Sequence, residues 1–240
     1  MARLPRLSVA GQTHLMIQRV HQGQSPFVDP ADRRAYLLCL AEAASRHGVA
    51  ILGYGLAAAE VRLLATPAHA QALGQMVQFI GRRFVAAFNR RHQRRGALWE
   101  GRFRATVIEP VEYFLPCLRY VESAENTKHQ DAVVDDTPWS SAEHHAGLRA
   151  DSFVTEHPRF WSLGNTPFER EAAYRSSMEQ AMSPAQTEGI AIASLHGWVL
   201  GSADFVRTLG AGLDRRLRPL PAGRPARRIE HQLARVSDPD

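Results

Sequence analysis

Val49–Thr66, VAILGYGLAAAEVRLLAT, decides the fold: two apolar runs, Val49 to Leu56 and Glu60 to Thr66, are joined by Ala57, Ala58 and Ala59. Each run has the length and residue types of a strand, so the segment reads as a β-hairpin. Gly48, just upstream, is placed to close a helix in the left-handed conformation. That helix opens at Asp29, a plausible N-cap with Pro30 in the first helical position, and runs to about His47. Further back, Thr13 to Val20 alternates as a strand does. Downstream, Pro67 to about His92 carries Leu73, Met76, Val77, Ile80, Phe84 and Phe88 as a helical stripe, Arg104 to Glu109 reads as a fourth strand, and a last helix follows Pro110. The order strand, helix, strand, strand, helix, strand, helix predicts an α+β ferredoxin-like fold. It consists of a four-stranded antiparallel sheet with helices on one face, plus a C-terminal helical extension.

At 240 residues and 45% apolar the chain can bury an ordinary core, which excludes a disordered or peptide-sized protein. No stretch approaches the roughly 18 unbroken apolar residues of a membrane helix, and MARLPRLSVAGQTH lacks the apolar core of a signal peptide. The expectation is a cytoplasmic protein with no membrane partner. Its two cysteines, Cys39 and Cys117, fall in helical patterns, where a buried thiol is the ordinary reading and a zinc finger or disulfide scaffold is excluded. Three regions are expected: a first domain over 1–136, a helical accessory region over 137–214 with helices near 166–182, 183–196 and 202–216, and a flexible Pro/Arg-rich tail over 215–240.

Charge is concentrated. The net charge is +5, and all basic residues but Lys128 are arginine. Eight of them (Arg82, Arg83, Arg90, Arg91, Arg94, Arg95, Arg102 and Arg104) lie in GRRFVAAFNRRHQRRGALWEGRFR with a single acid, Glu100. Arginine suits bidentate phosphate contacts, and Trp99, Phe103 and His92 offer stacking surfaces of the kind unpaired bases use, so this run is the candidate DNA-binding surface. A solvated basic face is the plainer alternative. A second basic run, Arg215 to Arg228, is broken by prolines, and its Gly223-Arg224-Pro225 resembles half of a minor-groove-inserting Arg-Gly-Arg-Pro element, a pattern also common in linkers. His144 and His145 diverge by about 100° on a helix and read as a polar surface pair.

Several segments together resemble one family. THLMIQR, YGLAAAEVRLLATP, IGRRFVAAFNRRHQRRGALWEGRFRATVIEPVEYFLPCLRYVE and TPWSS are similar to the REP-associated tyrosine transposases, single-tyrosine members of the HUH superfamily. Weaker likeness continues through TPFEREAAYRSSMEQAMSP and GWVLGSADF. The resemblance implies DNA transposition on single-stranded or hairpin DNA carrying REP elements. In that chemistry a helix-borne tyrosine attacks a phosphodiester and becomes linked to the 5′ phosphate. A Mg²⁺ or Mn²⁺ ion, held by two histidines spaced His-hydrophobic-His on one strand, polarises the phosphate. Residues i and i+2 on a strand share a face, which is why that spacing converges on one ion. The nucleophile position is matched by Tyr120 in Leu118-Arg119-Tyr120-Val121-Glu122.

The metal motif is not matched. Where the family carries its two histidines this chain has Glu60 and Arg62, and the third ligand position, four residues after the tyrosine, is Ala124. Arg62 has no lone pair to give and Ala124 no donor atom, so the ligand set is degenerate and no cofactor is expected. A Glu60–Arg62 ion pair is the plain reading of the vacated face, and an Arg62 that polarises phosphate in place of the ion is the sharper one. Tyr120 lies opposite the stripe Val111, Phe114, Leu115, Leu118, Val121, which predicts an exposed phenol. Pro116, mid-helix, removes the amide bond back to Glu112 at a cost of about 3 kcal/mol unless a kink absorbs it.

Three functions follow: a DNA-binding descendant of such transposases impaired in cleavage, an active transposase with Tyr120 as nucleophile, and an RNA-binding module. The last is disfavoured because Thr13 to Val20 and Ala105 to Glu109 hold no aromatic residue on which bases would stack. The sequence leaves the oligomeric state open, a monomer included.

Overall fold

The computed structural model describes residues 6–21, 24–123 and 139–219. Strand β1 spans His14–Arg19 and leads to helix α1, Pro30–His47; β2 (Val49–Leu56) and β3 (Glu60–Pro67) form the hairpin. Asp29 caps α1 by accepting the amides of Ala31 and Asp32, and Gly48 ends it at φ 63°, as those residue types require. Helix α2 (Ala72–Ile80) runs through a π turn, Gly81–Val85, into α3 (Ala86–Arg91). The core side chains Met76, Ile80, Phe84 and Phe88 are each four apart, a spacing that drifts about 40° per step around an α-helix. The wider π turn takes up part of that drift and keeps both phenylalanines inward. Strand β4 (Arg104–Val107) and α4 (Pro110–Glu122) complete the unit, and α4 stays continuous through Pro116.

The sheet order β2-β3-β1-β4, antiparallel throughout, is the ferredoxin-like order. Directly paired residues share a face, so Met16 with Leu63 points to one side and Leu15 with Leu64, Ile17 with Arg62 and Arg19 with Glu60 point to the other. The first side is covered by α1, α2 and α3 around Tyr36, Leu40, Met76, Phe84 and Phe88. The second is not left open. There α4 lays Phe114, Leu118 and Val121 on Leu15, Ile17, Leu52 and Leu64, and the accessory helices add Phe160, Tyr174 and Ile190 to the same cluster. A Cβ on Gly53 would come within 2.5 Å of Leu118, so glycine there is what lets α4 approach β2.

The accessory region contains α5 (Ala142–His145), α6 (Pro158–Trp161), α7 (Pro167–Glu179), α8 (Pro184–His196) and α9 (Ala203–Gly210). Thr166, Ser183 and Ser202 cap the last three, each followed within a turn by the amide it accepts. This region also seals both sheet edges, with Ser140 bridging Gly55 and Val154 bridging Ile51 on one side and Leu200 bridging Ile108 on the other. Residues 215–219, the start of the expected tail, are tied down, since Arg215 donates to Gly197 O at 2.7 Å, Arg218 to Gly201 O at 2.8 Å, and Leu217 is buried. The Gly223-Arg224-Pro225 element and Ala124 lie outside the described residues. Among the described helices none is long and apolar enough to cross a membrane.

Candidate nucleic-acid interface and the Tyr120 face

The strand positions that the family resemblance singles out do converge with the tyrosine. Residues 60, 62 and 64 of β3 face α4, and Arg62 lies under Tyr120: its guanidinium carbon is 4.2 Å from the ring centroid and its Nη1 donates to Tyr120 O at 2.8 Å. Its Nε donates to Glu60 Oε1 at 2.6 Å, and Arg19 Nε donates to Glu60 Oε2 at 2.9 Å. Both carboxylate oxygens of Glu60 are thus engaged by guanidinium groups. These hold the Glu60 carboxyl below the usual range, although burial works the other way.

Tyr120 itself departs from the expectation of an exposed phenol. It is 5% exposed and belongs to the core of this face. Helical periodicity predicts an outward residue because it ranks faces within one helix; here β3 supplies the cover from a distant part of the chain. Burial raises the phenol's pKa, Arg62 and Arg19 oppose the rise and Glu60 adds to it, so the group is a poorer source of phenolate than a free tyrosine. Among the described residues the Tyr120 hydroxyl makes no hydrogen bond, and no group of three or more His, Cys, Asp or Glu side chains is placed to share a metal ion.

Two residues beyond Tyr120 the structure holds a network that sequence reasoning missed. Glu122 is buried and accepts from Ser141 Oγ at 2.5 Å and from the Tyr174 hydroxyl, while His145 Nδ1 lies 2.7 Å from its Oε1. Ser141 Oγ also accepts the Tyr54 amide at 2.9 Å, fastening the Trp139–Ser141 segment to β2. His145 is therefore not part of a surface pair: it is 1% exposed, whereas His144 is partly open and accepts the Asp151 amide. Burial strongly raises the Tyr174 hydroxyl's pKa, and its Glu122 partner raises it further. A usable signal was Ser141 in TPWSS, whose small hydroxyl suits buried satisfaction of a carboxylate.

The basic run divides sharply. Arg91 is captured by Asp29 at 2.5 Å and by Asp32 at 2.5 Å, the latter carboxylate also taking His92 Nε2 at 2.9 Å. Arg83 pairs with Glu42, Arg94 donates to Gln24 at 2.7 Å, and Arg104 donates to Leu195 O. Arg82, Arg90, Arg95 and Arg102 are not buried, and among the described residues none has an acidic partner. Trp99 and Phe103 are not stacking platforms. Both are buried in the core, because Trp99 bridges Val20 and Phe103 enters β4 facing the helices. Arg82, Arg83, Arg90 and Arg91 lie on the α2–α3 layer, the side of the sheet away from Tyr120, whereas Arg104 pairs with Ile17 on the Tyr120 side.

No protein-family model matches the chain, and no curated protein does. Among solved structures the chain is similar to a REP-associated tyrosine transposase bound to a REP hairpin, with a TM-score of 0.50 at 12% sequence identity, covering 65% of this chain and 99% of that one. A candidate transposase from Deinococcus radiodurans R1 aligns at 20% identity and a TM-score of 0.34, over 52% of this chain and 98% of that one. The first likeness is one of fold: this chain has a transposase-like α+β architecture.

Proposed function

We propose that the chain is a DNA-binding protein of the REP-associated tyrosine transposase kind, which docks single-stranded or hairpin DNA and is impaired in cutting it. The observation that carries this reading is Arg62, a fixed cation packed on the Tyr120 ring and paired with Glu60 at the strand positions where the resemblance expects metal ligands. The donor set does not fit Mg²⁺ or Mn²⁺. Glu60 has no free oxygen, arginine has no lone pair, and Ala124 carries no donor. Docking is supported by Arg82, Arg90, Arg95 and Arg102, which lack an acidic partner among the described residues and whose charge suits a phosphate backbone.

The test is a fluorescent hairpin oligonucleotide incubated with the full chain and Mg²⁺ or Mn²⁺. A native gel should show a retarded complex, and a denaturing gel no covalent product. A covalent band lost in Tyr120→Phe would overturn the impairment. Absence of any retarded complex would overturn the docking. Calorimetric titration with Mn²⁺ should be flat, and saturable micromolar binding abolished by Glu60→Ala would refute the metal reading.

A further inference from the structure

Helices α1 and α2–α3 run antiparallel on the face away from Tyr120. Three meetings between them fix this: Asp32 with Arg91, Glu42 with Arg83, and the last turn of α1 with Gln75 and Phe79. Between them, at the end of α1, opens a groove of about 580 Å³. That volume lies within the roughly 300–1,000 Å³ of ordinary ligand sites.

Phe79 is the centre of the groove. It lies off the buried stripe of its helix (Leu73, Met76, Ile80) and is only partly covered. The Arg46 and Arg83 guanidinium carbons are 5.5 and 5.7 Å from its ring centroid, and the His47 ring meets it edge-on at 5.8 Å. Arg82, Gln75 and Gln78 line the same groove. The one acid at hand among the described residues, Glu42, is already paired with Arg83.

This combination has a specific chemical meaning. Cations alone would suit any polyanion. A partly open ring among them adds a flat apolar surface, and neighbouring amides add donors and an acceptor each, the groups a base edge requires. An acidic peptide needs the cations but neither the ring nor the amides. We propose that this groove is a stacking subsite for an unpaired nucleotide of single-stranded DNA, with Phe79 as the platform, Arg46 and Arg82 on the flanking phosphates and Gln75 or Gln78 at the base edge. The proposal rests on the DNA-docking reading above and extends it, since it puts the strand on the layer opposite Tyr120 and makes docking separable from any chemistry there.

The test measures affinity of the full chain for oligothymidine of about 12 nucleotides and for a duplex of equal length, across a salt series. Phe79→Leu, which keeps an apolar side chain and removes the ring, should weaken single-strand binding by about 5- to 100-fold, leave duplex binding unchanged, and leave the salt slope alone. Phe79→Trp should restore it. Arg46→Ala with Arg82→Ala should lower the slope by about 1.4, or about 0.7 for each phosphate no longer neutralised. A 5-bromouracil oligonucleotide should cross-link in wild-type protein to residues 72–83, an arm that needs no variant to fold. Unchanged single-strand affinity in a folded Phe79→Leu variant, equal loss for duplex, or a cross-link mapping elsewhere would overturn the groove while leaving DNA docking intact. Displacement of oligothymidine by polyglutamate that depends on Phe79 would assign the groove to an acidic protein partner and overturn it as well. If wild-type protein binds no oligonucleotide, the docking reading falls and the groove with it.

Discussion

The two faces of the sheet treat charge in opposite ways. On the α4 side the ionisable groups are largely covered and spent on neighbours: Glu60 on two arginines, Arg62 on Glu60 and Tyr120, Glu122 on Ser141, His145 and Tyr174. On the α1–α3 side Arg82, Arg90 and Arg95 reach solvent with no acid beside them among the described residues. Burial explains the difference. A charge taken out of water must be paired or it costs several kcal/mol, whereas an exposed one costs little and remains available to an external phosphate. The face with the tyrosine thus spends its charges internally, and the face without it leaves Arg82, Arg90 and Arg95 open to solvent.

The strongest way to break this contrast is at Glu122. Replacing it with Ala takes the acceptor from three buried partners: the Ser141 hydroxyl and His145 Nδ1 keep only longer bonds, to Tyr54 O at 3.4 Å and Ser141 O at 3.2 Å, and the Tyr174 hydroxyl keeps none among the described residues. The expected loss is about 3–5 kcal/mol, read as a lowered urea midpoint at unchanged m-value. It should also loosen the accessory region, since Ser141, His145 and Tyr174 all belong to it. A loss under about 1 kcal/mol would mean that the network adds little and that the α4 face is not held from the accessory side.

The sheet between the faces supplies the next effect. His14 on β1 is fully buried, with Nδ1 2.7 Å from Gln12 O and Nε2 accepting the Val9 amide at 3.1 Å, the bonding of a neutral ring. Burial lowers its pKa to about 4. Between that value and the ordinary 6.5 the unfolded chain binds the extra proton, so stability falls as pH drops through this window and levels off below it. The contribution is on the order of 3 kcal/mol. Denaturant titrations at several pH values should lose this slope in His14→Gln, and an unaltered pH profile would count against a neutral buried ring.

How much of this was legible depended on whether the determining contact was local. Asp29, Pro30 and Gly48 fixed α1 because caps act over three or four residues, and the two apolar runs marked the hairpin strands, though not the irregularity between Ile51 and Gly53. The Glu60–Arg62 pair was legible for the same reason, being i and i+2 on one strand. The burial of Tyr120 was not, because its cover comes from β3, nor that of Trp99 and Phe103, because an aromatic beside arginines looks alike whether it is in a loop or a core. Arg91 reads as available in the sequence, yet its acids stand 59 and 62 residues earlier. His145 escaped because a helix of four residues is too short to show a face. The π turn did have a signal, the unbroken spacing of four from Met76 to Phe88.

Within the basic run, the difference between spent and free arginines can be measured. Arg90→Ala with Arg95→Ala should lower the salt slope of oligonucleotide binding by about 1.4 while leaving thermal stability near wild type. Arg91→Ala should do the reverse, lowering the melting temperature by removing the partner of Asp29 and Asp32 and leaving the slope nearly unchanged. Equal slopes for the two variants would dissolve the distinction.

The smallest expected effect is at Tyr120, where the ring and its hydroxyl can be told apart. Its ring packs on Arg62 and on the α4 core, but its hydroxyl makes no hydrogen bond among the described residues. Tyr120→Phe keeps the ring, so packing and the cation–π contact persist and the change removes only an oxygen. Stability should stay within about 0.5 kcal/mol of wild type, and affinity for hairpin DNA should not move, because the arginines that would dock the strand lie on the other side of the sheet. Tyr120→Ala should by contrast destabilise by about 3 kcal/mol or more, since the ring fills space between two elements. A tyrosine whose ring matters and whose oxygen does not acts as a core residue. A drop in hairpin affinity in Tyr120→Phe would show that the hydroxyl still reaches DNA, and that the two faces are not as separate as their charges imply.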